Sequence, residues 1–260
     1  AGWDGDISNG GQDPTGNHGS LRFSHLEIAW SGCGERWPGG QVFGCWGQEE
    51  GGYGDGLGTG SGGGDWVFED SHIHNNTQDG LDLLHLDPAA TVTMRRVRAE
   101  GNAGNQLKAS GQVLIENSTI DGSCASFTGV GNMRPEDQCR ATGDSIMIAL
   151  VDGKPAAVRD STLRGQGGCL ITGSGGGAGA VLTLTGNTLI GGPRWDDPGR
   201  LTCGYFLYES KGRVNAEGNH ISGVKASTTM QDACRNAEAY LHDSDHACEW
   251  LKGVVKRIRQ

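Results

Sequence analysis

One short pattern returns along this chain and constrains its fold more than any other feature. A stretch of alternating residues leads to a small polar residue such as Asn or Ser, then one further residue, an aliphatic, and soon Gly or Asn. Seven segments carry it: 21–30, 66–75, 92–102, 113–122, 157–165, 181–192 and 214–223. Their aliphatic anchors align as Leu26, Ile73, Val97, Ile120, Leu163, Leu189 and Ile221, at successive separations of 47, 24, 23, 43, 26 and 32 residues. Most intervals are one unit of about 24 residues, and the longer ones carry insertions. A unit this short cannot bury its apolar side alone, so the units must stack into one continuous aliphatic ladder.

A second aliphatic position follows each anchor, at Leu57, Leu81, Leu107, Ile146 and Leu170, and reads as the next strand of the same coil. The expected fold is therefore all-β: a right-handed parallel β-helix solenoid with a short C-terminal helical cap. A β-sandwich predicts no such columns. Residues 1–260 form one domain, with an N-terminal segment over 1–20, coils over 21–228 and the cap over 229–260. Glycine supports this, since 47 residues of 260 suit many tight turns between short strands.

The eight cysteines lie in no CxxC or Cys/His zinc spacing, which favours disulfides and a secreted protein, extracellular or periplasmic. Cys33 with Cys45 and Cys124 with Cys139 are expected to tie two long loops, 31–53 and 122–143; Cys169 and Cys203 suggest a rung between neighbouring coils, and Cys234 and Cys248 remain. Residues 1–10 lack the layout of a signal peptide, as expected of a mature or trimmed chain. The net charge of −10 argues against nucleic acid and anionic membranes as partners, and a monomer is expected.

Side chains alternate along a strand, so the residues flanking the second aliphatic column point outward. One flank holds Asp55, Asp79, Asn105 and Asp144, and the other Gly58, Asp82, Lys108 and Met147. Carboxylates of Asp55 and Asp79, one coil apart, should lie about 5 Å from each other, with Asp82 on the same face. Three acids so close repel unless a hard cation gathers them, and Ca²⁺ takes six to eight oxygen ligands. Two plainer readings stand beside this one. Asp79 and Asp82 are also turn-forming residues of a glycine-rich bend, and Lys108 with Asp82 is also a surface salt bridge worth at most about 1 kcal/mol.

The stretches GDG at 54–56, NNTQDGLDL at 75–83 and GNAGNQLKASG at 101–111 together resemble the family nine polysaccharide lyases, the calcium-dependent pectate lyase type. The resemblance covers about residues 50–111. It implies Asp55, Asp79 and Asp82 as calcium ligands, Lys108 as the catalytic base and an acidic polysaccharide as substrate. Gln78 stands where the family carries an acid, so the site would be one charge weaker.

The implied reaction is β-elimination from a uronic-acid polymer, in which a neutral amine removes the proton alpha to the sugar carboxylate. On this reading Lys108→Ala abolishes turnover and leaves stability nearly unchanged. Candidate substrate contacts are Asn105, Asp144, His85, Arg134, Arg140 and Trp37, with His72, His74 and Trp46 as further polar or stacking residues near the same coils. Two other functions fit the same scaffold. One is a glycoside hydrolase using Asp79, Asp82 and Asp144, and the other is a non-catalytic carbohydrate-binding or adhesin scaffold.

Overall fold

The computed structural model describes residues 19–32, 54–59, 62–123, 144–195, 198–224 and 228–229. These residues form three seven-stranded sheets, every neighbouring pair of strands being parallel. The first sheet contains β1 (Ser20–Ser24), β4 (Asp65–Glu69), β7 (Thr91–Arg95), β10 (Gln112–Glu116), β13 (Pro155–Arg159), β16 (Val181–Thr185) and β19 (Arg213–Glu217). The second contains β2 (Glu27–Ala29), β5 (His72–His74), β8 (Arg98–Glu100), β11 (Thr119–Gly122), β14 (Thr162–Gly165), β17 (Thr188–Ile190) and β20 (His220–Ser222). The third contains β3 (Leu57–Gly58), β6 (Leu81–Leu83), β9 (Leu107–Ser110), β12 (Ile146–Ala149), β15 (Cys169–Ser174), β18 (Cys203–Tyr208) and β21 (Thr228–Thr229). Each coil takes one strand from each sheet in turn, and the described residues make seven coils of a parallel β-helix. No helix occurs among them, and the expected C-terminal cap lies outside the described residues.

Burial follows the period of two. In the first sheet Trp66, Val92, Val113, Ala156 and Leu182 form one inward column, and Phe68, Met94, Ile115, Val158 and Leu184 form the next. The second sheet contributes Ile28, Ile73, Ala99, Ile120, Leu163, Leu189 and Ile221. This register corrects two anchors. Leu26 and Val97 do not belong to the aliphatic column, which passes through Ile28 and Ala99 instead.

Both displaced residues sit two positions earlier, at a corner where other coils carry Ser71, Ser118, Ser161, Asn187 and Asn219. There the side-chain oxygens accept the backbone N–H of the coil before: Ser71 from Leu26 at 3.2 Å, Ser118 from Val97 at 3.1 Å, Ser161 from Ser118 at 3.1 Å and Asn187 from Ser161 at 3.1 Å. Coils one and three have an aliphatic residue at this corner, which moves the apparent pattern by two. The residue preceding the corner is left-handed in all seven coils, with φ from 49° at Asp70 to 67° at Gly186. That column turns the chain from the first sheet into the second.

On the outer face of the first sheet, Glu69, Arg95, Glu116 and Arg159 occupy one register column and alternate in charge, with Arg159 Nη2 2.8 Å from Glu116 Oε2. Like charges in such a column would oppose stacking, whereas alternating ones support it modestly.

The third sheet corrects one further residue. Ile146 pairs with Ile171 rather than Leu170. Both are fully buried members of the hydrophobic core, and five of the six β15 residues are buried, so hydrophobicity alone does not tell its two faces apart. At the start of β15, Cys169 pairs in register with Cys203 and the two form the expected disulfide rung. Such a bond points to an oxidising, extracytoplasmic environment. The other expected pairs, Cys33 with Cys45 and Cys124 with Cys139, and the remaining Cys234 and Cys248 lie outside the described residues.

Candidate acidic site on the third sheet

The residues two positions before the inward column, Asp55, Asp79, Asn105 and Asp144, share one register position. Each accepts the backbone N–H of the next coil through one side-chain oxygen. Asp55 Oδ1 takes that of Asp79 at 2.9 Å, Asp79 Oδ1 that of Asn105 at 2.6 Å, Asn105 Oδ1 that of Asp144 at 2.9 Å, and Asp144 Oδ1 that of Cys169 at 2.6 Å. The column runs into the disulfide and works as a polar spine, because these N–H groups are buried and need partners.

The spine aims the remaining oxygens. Asp79 is fully buried, and its Oδ1 also accepts a bond from Asn105 Nδ2 at 3.1 Å. Its Oδ2 accepts no hydrogen bond and instead faces the Lys108 ammonium at 2.5 Å. Asp82 Oδ1 accepts the Leu84 N–H at 3.2 Å, which leaves Oδ2 directed at the same ammonium, 3.1 Å away. Asp82 and Lys108 are register partners across β6 and β9, so a single coil step creates this contact. Asp55, Asp79 and Asp82 each offer an oxygen within 4.8 Å of the others.

Two glycines shape the cluster. Gly58 precedes Asp82 in its column, and a Cβ there would lie 3.4 Å from Asp55 Oδ2, so glycine leaves the space above Asp82 open. A Cβ at Gly104 would lie 2.3 Å from Asp79 Oδ1, so only glycine lets that carboxylate reach the Asn105 N–H. The sequence reading missed this second role. The motif GNAGN displays the glycine, but its neighbour across the coil is a product of register.

Three carboxylates face one ammonium, and the electrostatics reflect the imbalance. The Asp55 carboxyl is pushed up to about 7, first by burial and then by the Asp79 charge, against the N–H that Asp79 donates. Burial pulls the Lys108 amine down, but Asp79 and then Asp82 outweigh it and hold it above the ordinary lysine value. Asp144 is also pushed up to about 7 by burial, which the Thr172 hydroxyl, the Cys169 N–H and Arg194 only partly offset.

The other candidate residues fall elsewhere. Asn105 and Asp144 are buried members of the spine, with their side chains engaged between coils rather than presented to a ligand. His85 is exposed on the turn after β6 and takes no part in the hydrogen bonds of the cluster. Arg134, Arg140, Trp37 and Trp46 lie outside the described residues. The Lys108–Asp82 contact is not a surface salt bridge: the lysine side chain is 14% exposed and its closer partner, Asp79, 0%.

Hard oxygen donors, a buried oxygen answered by a single cation and a glycine opening above it fit an ion such as Ca²⁺. Comparison of the chain with protein-family models, with curated proteins and with solved structures found no match.

Proposed function

We propose that this protein is a calcium-dependent lyase that cleaves an acidic, uronic-acid-containing polysaccharide by β-elimination, with Asp55, Asp79 and Asp82 holding the ion and Lys108 acting as base. The observation that carries this reading is the convergence of three carboxylates and one amine at the start of the third-sheet strands, with Asp79 buried and Asp55, Asp82 and Lys108 partly exposed. The resemblance of residues 50–111 to family nine lyases points to the same four residues.

The residues themselves do most of the preparation. One oxygen of each aspartate is pinned by an N–H donor, so the other is aimed without further ordering. Bound there, Ca²⁺ would neutralise the sugar carboxylate and acidify the proton beside it. Lys108 cannot accept that proton while Asp79 and Asp82 hold its ammonium form. An ion shared by the two aspartates would relieve that hold and bring the amine down toward a useful range, burial acting in the same direction.

The test is incubation with polygalacturonate, alginate and related uronans, with Ca²⁺ or with EDTA, following the ultraviolet absorbance of the unsaturated product. A rise that EDTA abolishes and Lys108→Ala eliminates supports the lyase. New reducing ends without absorbance would replace it with a hydrolase using Asp79, Asp82 and Asp144 as its carboxylates. No turnover on any of these polymers would leave a binding scaffold.

A further inference from the structure

A second cluster lies on a different face. Strand β5 reads His-Ile-His: Ile73 is buried, while His72 and His74 point outward from the second sheet. Their rings stack with centroids 4.0 Å apart and an interplanar angle of 26°. The register sets Glu27 of β2 beside His72 and Glu100 of β8 beside His74, but contacts form on the diagonals. His74 Nε2 lies 3.0 Å from Glu27 Oε1, and His72 Nε2 lies 2.9 Å from Glu100 Oε1. Donor atoms of Glu27, His72 and His74 all lie within 4.8 Å of one another.

The surroundings of His74 point to a ligand. Its Nδ1 is 2.7 Å from Asn75 Oδ1, an acceptor, and its Nε2 faces a carboxylate, also an acceptor. Two acceptors on one ring call for a positive charge there: either a doubly protonated ring donates to both, or a metal ion takes the place of the second proton on a neutral ring, which has only one N–H. With Asn75 holding the Nδ1 proton, Nε2 is the nitrogen free to donate to a metal. Glu100 meets His72 at Nε2 instead, so a proton held there leaves Nδ1 as that ring's donor to a metal, and Arg98 Nη2, 2.7 Å from Glu100 Oε1, steadies that carboxylate.

We propose that Glu27, His72 and His74 form a binding site for a divalent transition metal of the Zn²⁺ type. Two imidazoles and a carboxylate are a Zn²⁺ donor set, whereas Ca²⁺ prefers oxygen throughout. Tetrahedral Zn²⁺ at about 2.0–2.1 Å from each ligand needs donors about 3.4 Å apart, so the side chains close by small rotations. A groove of about 610 Å³ lies against Glu27 and His72, with His25, Asp70, Arg96 and Arg98 also lining it. The site is separate from the aspartate cluster and independent of the proposed lyase activity.

The experiment uses the full chain stripped with EDTA and dialysed free of it. ZnCl2 is titrated by calorimetry, and Co²⁺ is added as a visible-spectrum probe of nitrogen and oxygen ligation. We expect saturable Zn²⁺ binding that weakens at least about tenfold in His74→Ala, His72→Ala and the exposed Glu27→Gln, is unchanged in Asp79→Asn, and is not displaced by excess Ca²⁺. Circular dichroism checks each variant, and if a histidine variant does not fold, Glu27→Gln decides. The proposal is overturned by no saturable binding in the wild type, by unchanged affinity in Glu27→Gln, or by loss of binding in Asp79→Asn alone.

Discussion

Replacing Lys108 by methionine keeps the stem of the side chain and deletes its charge. In the structure that charge is the cation 2.5 Å from Asp79 Oδ2, an oxygen that accepts no hydrogen bond on a residue that is 0% exposed. Removing one partner of a buried pair costs about 3–5 kcal/mol, because the remaining charge is left uncompensated. Lys108 retains some exposure, so we expect a loss near 3 kcal/mol, or a fall in Tm of about 6–12 °C for a chain of this size.

Differential scanning calorimetry in EDTA at pH 7 measures this, and added Ca²⁺ should recover part of the loss. A variant as stable as wild type at pH 7 would refute the buried pairing. The sequence alone led to the opposite expectation, a surface salt bridge whose loss leaves stability nearly unchanged; the complete burial of Asp79 reverses it.

Three further outcomes are expected. Asp144→Asn keeps an oxygen for the Cys169 N–H but removes a carboxyl whose folded pKa is raised from 3.8 to about 7, a penalty absent below pH 4, growing between pH 4 and 7 and level above; the variant should be more stable than wild type at pH 8, by up to roughly 4 kcal/mol, and match it at pH 4. Gly104→Ala places a Cβ 2.3 Å from Asp79 Oδ1 and should displace that carboxylate, weakening Ca²⁺ binding in calorimetry without unfolding the chain. Cys169→Ser with Cys203→Ser opens a link across 34 residues, which in the chain-entropy estimate removes about 3–4 kcal/mol and should lower Tm by on the order of 10 °C.

Much of the scaffold was legible in the sequence because a stacked coil repeats its environment. A residue one coil on meets the same inward or outward surroundings, so Leu57, Leu81, Leu107 and Ile146 announce themselves as one buried column and Asp82 and Lys108 as neighbours. Where a coil breaks its own chemistry the reading slipped, by two residues at Leu26 and Val97 and by one at Leu170. An aliphatic replaced a polar corner residue in the first case, and both faces of the strand were buried in the second.

What the tertiary structure alone decided is the work each polar residue does. Spacing placed Asp55, Asp79, Asn105 and Asp144 in one column, but hydrogen bonding from coil to coil makes that column a buried spine, with only selected oxygens left to face a ligand. Likewise His72 and His74 are neighbours in sequence, while Glu27 lies 47 residues from the histidine it meets and Glu100 28 residues from its own. Insertions of variable length separate the coils, so spacing along the chain cannot specify which side chains meet across them. Hydrogen-bond register does, since it sets every contact between adjacent coils at once.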